Sequence, residues 1–139
     1  MGLKTASEIQ GDVLRLLNES AVATSINGGI YRSGQRPANS RQEDVVIIFT
    51  EGNAAQIQTG TLTIHVYVPD VDFEGNGIYR EDGKRIDTLS RVMQDWVDAL
   101  PVGDYLYRLK DTVHSIASEA QSKQHIIVVR LGFNYNTEL

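Results

Sequence analysis

Residues 61–69 read Thr-Leu-Thr-Ile-His-Val-Tyr-Val-Pro, and this stretch decides the fold. Successive side chains of a β-strand point to opposite sides, so a period of two separates the two faces. One face takes Leu62, Ile64, Val66 and Val68, and the other takes Thr61, Thr63, His65 and Tyr67. The pattern predicts a strand over residues 56–68 with one face in the core, ended by Pro69, which donates no backbone hydrogen bond.

Further strands are predicted on either side of this one. Residues 45–50, Val-Val-Ile-Ile-Phe-Thr, form a continuous apolar run that predicts a strand covered on both faces. Strands close in sequence usually pair, so a hairpin with its turn at residues 51–54 joins the two. Residues 124–135 predict a long strand whose core face carries alternate residues: Ile127, Val129, Leu131, Phe133 and Tyr135.

Two amphipathic helices complete the predicted architecture. The first covers residues 7–19, with Ser7 and Gln10 in the spacing of a capping box. The second covers residues 86–100, with Asp87 or Thr88 as its cap, and carries apolar residues at helical spacing: Ile86, Leu89, Val92, Met93, Trp96, Val97 and Leu100. The order of elements predicts an α+β fold, a mainly antiparallel sheet packed with two helices, in a single domain over residues 1–139.

Composition excludes several classes of function. The chain has 139 residues and no cysteine, which excludes disulfide frameworks, thiolate zinc sites and cysteine nucleophiles. Its net charge of −5 argues against specific binding to duplex nucleic acid. No stretch approaches the roughly 20 apolar residues of a membrane helix, and the N-terminus lacks the apolar region of a signal peptide. These features predict a cytoplasmic protein that does not contact a membrane.

The acidic stretch at residues 70–81 is similar to a twelve-position calcium loop, which places oxygen ligands at positions 1, 3, 5 and 12 and glycine at position 6. The corresponding ligands are Asp70, Asp72, Glu74 and Glu81. The fit is incomplete because position 5 is Glu and the stretch follows a strand rather than a helix. A solvated acidic loop with turn glycines is the favoured interpretation, and a calcium site is the alternative.

Other chemistry has weaker support in the sequence. His65, His114 and His125 all fall on predicted strands, but their spacing does not predict a zinc site. The chain contains no nucleophile elbow, P-loop or dinucleotide-binding fingerprint. We therefore predict no catalytic residues, no cofactor and no enzymatic activity.

The polar segment from residue 33 to residue 44 predicts an exposed basic loop. Arg32, Arg36 and Arg41 are the only charged residues between Glu19 and Glu43. Guanidinium groups suit phosphates and carboxylates alike. Two interpretations stay open: these arginines contact a partner, or the loop is a flexible solubilising segment.

The order of these elements resembles the small tail-completion proteins of long-tailed bacteriophages, a group that includes tail terminators and tail-to-head joining proteins. The resemblance spans nearly the whole chain and rests on these segments: Leu-Leu-Asn at 16–18, Gly-Gly-Ile-Tyr at 28–31, Arg-Pro at 36–37, Glu-Asp-Val-Val-Ile at 43–47, the strand at 61–69, the helix with Trp96, and Val-Arg-Leu-Gly-Phe-Asn-Tyr at 129–135.

The resemblance implies a structural protein of a phage or prophage rather than an enzyme. Its subunits are expected to form a ring, commonly a hexamer, that caps the tail tube and docks to the head connector, with DNA passing through the ring. It implies assembly in the host bacterial cytoplasm and a final place in the neck of the virion. The alternative is a small cytoplasmic ligand- or calcium-binding module that uses the acidic loop at residues 70–81.

Overall fold

The computed structural model of the chain describes residues 2–119 and 122–137. The elements in these residues, in chain order, are α1 Ala6–Asn18, α2 Ala21–Ser25, β1 Ile30–Arg32, β2 Val45–Asn53, β3 Ile57–Pro69, α3 Gly83–Asp98, β4 Tyr105–Leu109, β5 His114–Ala117 and β6 Gln124–Asn136. The architecture is α+β with a mostly antiparallel sheet, which confirms the predicted fold class.

The centre of the sheet is the pair β3 and β6. Both strands are 13 residues long, and they pair antiparallel without interruption from Ile57 opposite Asn136 to Pro69 opposite Gln124. The strand order is β1-β2-β3-β6-β4, and β5 pairs with β6 on the same side as β4. Only β1 runs parallel to its neighbour among the described strands. The fold therefore depends on one long central ladder with shorter strands at its sides.

The three helices pack on one side of the sheet, here called the helix face. The predicted apolar faces of β3 and β6 both point into this layer, where Leu62, Ile64, Val129 and Leu131 are all fully buried. α1 contributes Ile9, Val13 and Leu17, and α3 contributes Leu89 and Met93 among others. Burying such side chains is the main source of stability in a domain of this size.

The opposite side, here called the open face, carries no helix of the described chain. Its residues on the strands, such as Val46, His65 and Val128, do not belong to the core cluster. The prediction that residues 45–50 are covered on both faces by other elements is therefore wrong beyond the beginning of β2, because all the helices pack on the same side. Hydrophobicity alone does not distinguish a strand between two layers from one with an open apolar face.

Several predicted boundaries were wrong by a few residues. β2 continues to Asn53, so residues 51–54 do not form the turn. Thr5 caps α1 in place of Ser7, and its side chain and that of Glu8 form the capping box. Asp82 caps α3 in place of Asp87 or Thr88 and accepts a hydrogen bond from Arg85 N at 3.2 Å. The short helix α2, capped by Ser20, was not predicted.

Two facing glycines are required where β2 meets β3. Gly52 is opposite Gly60, and the aromatic rings of Phe49 and Phe133 occupy the space that their side chains would need. A Cβ on Gly60 would lie 2.2 Å from the carbonyl oxygen of Glu51 and 2.7 Å from the Phe133 ring. The carbonyl is fixed by the backbone and cannot move away.

We expect Gly60→Ala to lower the free energy of unfolding by about 1–3 kcal/mol, the usual cost of overpacking. The matched control is Gly83→Ala, since a Cβ at Gly83 has no atom within 4 Å. Chemical denaturation of the two variants measures the difference. Equal stabilities would contradict the close approach of the Glu51 carbonyl and the Phe133 ring to Gly60.

Candidate functional site

The open face is apolar at one end. Cross-strand pairing places His65 between Val46 on β2 and Val128 on β6, and it places Ile126 between Tyr67 and Ile116. Val46, Ile126 and Val128 are only 6%, 8% and 7% exposed although they lie outside the core cluster. These apolar side chains are therefore nearly buried, although no helix of the described residues covers this face.

The edge formed by β4 and β5 is exposed. β4 pairs with residues 131–135 of β6 and β5 with residues 125–128, so together they form one interrupted edge strand. Every residue of β5 is exposed, and the apolar side chains Leu106 and Ile116 are 50% and 46% exposed. An edge strand of this kind presents unpaired backbone groups to another chain.

The opposite edge of the sheet is smaller and is held by a helix. β1 has three residues, and the Arg32 guanidinium donates hydrogen bonds to the carbonyl and hydroxyl oxygens of Ser7 in α1 at 2.9 and 2.7 Å. The two edges therefore differ in length and in protection.

A projecting loop, here called the flap, covers residues 70–82 and connects β3 to α3. A bridge between Val71 and Arg80 closes it, and the Asp72 carboxylate accepts hydrogen bonds from Asn76 N at 3.1 Å and Gly77 N at 2.8 Å. Its apolar side chains Phe73, Ile78 and Tyr79 are 61%, 58% and 43% exposed. An ordered turn thus presents three large apolar groups to solvent, which is typical of a contact surface.

The base of the flap is attached to β6. Nδ1 of His125 lies 2.7 Å from Asp70 Oδ1, and Nε2 lies 3.8 Å from Glu81 Oε2. The Lys123 ammonium group lies 4.3 Å from the centre of the Tyr79 ring. Both ends of the flap are therefore held by the strand beside them.

The four calcium candidates serve other partners. Asp70 contacts His125, Asp72 stabilises the turn of the flap, Glu74 pairs with Arg80 at 3.2 Å, and Glu81 lies near His125. In residues 2–119 and 122–137, no group of three or more His, Asp or Glu side chains is placed to hold a metal ion.

The three histidines do not converge. His65 and His114 both lie on the open face, on opposite sides of Val128, whereas His125 lies at the base of the flap. Burial lowers the pKa of the His65 imidazole. Sheet register keeps a strand between the first two histidines, which linear spacing does not reveal.

Arg36 is an internal anchor and not an exposed contact. Its Nε donates to the fully buried carboxylate of Asp44 at 2.8 Å, and its Nη2 donates to Gln124 Oε1 at 2.7 Å. Its guanidinium carbon lies 3.8 Å from the centre of the Tyr67 ring. The prediction of an exposed basic loop is thus wrong for Arg36, because a buried carboxylate requires a charged partner.

Asp44 has further hydrogen bonds from Gly29 N at 2.9 Å and from the Ser40 hydroxyl. Burial opposes ionisation, but the hydrogen bonds from Ser40, Arg36 and Gly29 outweigh it and hold the pKa of Asp44 below its usual value. Arg41 remains exposed, with one long contact of 3.4 Å to the carbonyl of Ser122. Of the three candidate arginines, Arg41 alone presents its charge outward.

A tyrosine cluster connects α1 to β4. The hydroxyl of Tyr105 donates to Asp12 at 2.6 Å, and Lys4 Nζ lies 2.5 Å from the same carboxylate. Tyr105 stacks on Tyr107 at a ring distance of 5.0 Å. Burial and the bond to Asp12 raise the pKa of Tyr105, which keeps its hydroxyl protonated. These aromatic side chains extend the core.

Sequence reasoning missed a slot on the polar end of the open face. The row Glu51, Thr61, Gly132 and Arg108 crosses four strands, and Lys110 lies close above Gly132. The cavity of about 290 Å³ here is lined by Glu51, Gly52, Asn53, Thr59, Gly60, Thr61, Arg108 and Lys110. We call it the Thr61 slot. The alternation in residues 61–69 places Thr61 on this face, but the sequence does not indicate which residues of β4 lie beside it.

No family model matches the chain, and no curated protein matches it. A solved structure is similar over 92% of this chain and 94% of that chain, at 12% sequence identity and a TM-score of 0.48, and the name of that protein describes no function. None of the helices in the described residues is both long and apolar enough to span a membrane.

We expect Arg36→Ala to lower the free energy of unfolding by about 3–5 kcal/mol, because it leaves the buried carboxylate of Asp44 without its charged partner. Arg41→Ala is the matched control on the same loop and is expected to change stability by less than about 0.5 kcal/mol. Urea denaturation distinguishes them. Equal small effects would show that Arg36 does not hold the loop.

The buried imidazole of His65 predicts a pH dependence of stability. Because this pKa is lowered, the His65 imidazole binds a proton less readily in the native state than in the unfolded chain, where histidine titrates at about pH 6.5. The unfolding free energy is therefore highest above that pH and falls as the pH decreases through it. We expect His65→Gln to reduce this slope between about pH 7 and pH 5 in urea denaturation. A wild-type slope in His65→Gln would contradict the assignment.

Proposed function

We propose that this chain is a non-enzymatic assembly protein similar to the tail terminators and tail-to-head joining proteins of long-tailed phages. In this proposal its subunits form a ring that caps the tail tube and meets the head connector. The ring is commonly a hexamer in the family that the chain resembles. It assembles in the host bacterial cytoplasm and remains in the neck of the virion.

The exposed edge formed by β4 and β5 is the observation that carries this proposal. Both strands pair with β6 on one side only, and both carry exposed apolar side chains, Leu106 and Ile116. A soluble protein normally blunts, covers or pairs such an edge. Pairing with another subunit satisfies the edge and buries these side chains.

The pairing of the most buried carboxylates with arginines supports an assembly role over catalysis. The two most buried carboxylates among the described residues, Asp44 and Glu43, are each paired with an arginine, Arg36 and Arg85. Their charges serve the fold and are not presented to a substrate. The apolar flap and the open face are the surfaces left for the tube, the connector or a second subunit.

Nucleic acid enters the proposal only as cargo in the ring. The net charge of −5 does not favour phosphate binding by the chain as a whole. DNA passing through the ring needs no sequence recognition by this protein.

We expect light scattering over a concentration series to give a closed oligomer, with six times the 15.4 kDa mass of one chain for the hexamer. Ile116→Lys places a charge on the exposed edge and is expected to shift the mass toward the monomer. Thr88→Lys is the control, since Thr88 is exposed on the helix α3 and not on the edge strands β4 and β5.

The same series with millimolar calcium tests the alternative function. A ring whose mass does not depend on calcium supports the assembly proposal. A monomer that becomes more stable or changes its mass on addition of calcium favours the binding module, with its ligands on the flap.

Equal masses for Ile116→Lys and the wild-type oligomer would exclude the β4–β5 edge from the interface.

A further inference from the structure

Two surfaces that lie at opposite ends of the sheet have complementary character. The flap follows Pro69 at the end of β3, whereas the Thr61 slot lies eight residues earlier on the same strand. An extended strand of eight residues spans about 27 Å. The flap and the slot of one subunit are therefore too far apart to meet, but the flap of one copy can meet the slot of another.

The flap is strongly acidic. Residues 70–82 contain five acidic side chains and one basic side chain, Arg80, for a net charge of −4. The Glu74 side chain is 59% exposed, and its carboxylate lies 3.2 Å from the exposed Arg80 and accepts a hydrogen bond from Asn76 Nδ2 at 3.3 Å. Phe73, its neighbour, is 61% exposed. The tip thus presents a carboxylate beside an aromatic ring.

The slot has the opposite character on its β4 side. Arg108 and Lys110 are both exposed, and Lys110 forms no ion pair within the described residues. Leu106, 50% exposed, lies next along β4 on the same face as Arg108. Glu51 is the acidic residue of the slot, and it lies at the far end of the row, on β2.

Thr61 supplies a buried polar group that has no hydrogen-bond partner among the residues that the structure describes. Its residue is 1% exposed, and its hydroxyl forms no hydrogen bond with the described part of the chain. Leaving a buried hydroxyl without a partner costs free energy, which an incoming acceptor recovers. Two cations and a free hydroxyl together suit a carboxylate.

We propose that the flap of one subunit docks on the Thr61 slot of the next, with the Glu74 carboxylate accepting from Arg108, Lys110 and Thr61 and the Phe73 ring packing on Leu106. This inference rests on the proposed self-association and adds a second contact to the pairing of the β4–β5 edge. The contact joins different surfaces on the two copies, so it is heterologous, and repeating it yields a ring when the rotation closes.

Charge exchange tests the contact. Glu74→Lys alone and the pair Arg108→Glu with Lys110→Glu are each expected to weaken self-association by at least about tenfold, and combining all three restores it to within about threefold of the wild type. Arg91→Glu is the control, since Arg91 is an exposed cation, 70% accessible, on α3 in the helix layer, whereas the slot lies on the open face. Light scattering and sedimentation measure the association.

Cysteine pairs provide a second measurement because the chain has no cysteine of its own. A chain with Phe73→Cys and Leu106→Cys is expected to form a ladder of disulfide-linked species on mild oxidation. The pair Phe73→Cys with Arg91→Cys is expected to form none, since Arg91 lies outside the proposed contact.

The outcomes separate this inference from the proposed function. Rings that persist in the charge-reversed variants, together with no ladder, overturn the docking of flap on slot and leave self-association standing. A wild type that stays monomeric to about 1 mM, a range that detects even weak association, overturns both. A ladder with restored association in the exchanged variant supports the contact.

Discussion

The buried carboxylate of Asp44 is the constraint on which much of the sheet depends. It is fully buried, so its charge must be met by hydrogen bonds inside the protein. The hydrogen bond from Gly29 N holds the residues before β1, and the bond from the Ser40 hydroxyl holds the end of the loop. Arg36 extends the network to Gln124 at the start of β6. One charge thus holds the β1 edge and the loop of residues 33–44 in place, and it explains why a polar loop can lie against an apolar strand end.

The loop of residues 33–44 covers only one end of the open face. Arg36 covers Tyr67 at one end, but the middle of the face around His65 and its polar end around Arg108 lie beyond its contacts. The helix layer buries the centre of the other side, where Ile64 and Val129 are fully buried. The buried side of the sheet supplies the core that stabilises the fold. The open face and the exposed edge remain free to contact another chain.

Local patterns in the sequence determined the faces of the long strands, and they did so correctly for residues 61–69 and 127–135. They did not determine the helix caps. Thr5 and Ser7 both place a hydroxyl before the apolar residues of α1, so the prediction of Ser7 as the cap was wrong. Local patterns also did not reveal the parallel pairing of β1, the partner of Arg36 or the Thr61 slot. Each of these depends on which strands are neighbours and on their register, and long-range pairing is not encoded in any single stretch.

The segregation of charge gives the proposed assembly a direction. A net charge of −5 alone makes two copies repel, yet the flap concentrates acidic residues at one end while Arg108 and Lys110 lie at the other. Charged pairs at an interface mainly select orientation and partner, and apolar burial supplies most of the affinity. Phe73 and Leu106 are suited to supply affinity by apolar burial, and Glu74 is suited to select the orientation by its charge. Copies that meet with like ends together place acidic flap against acidic flap, so the head-to-tail arrangement is the one in which both the charges and the apolar side chains are satisfied.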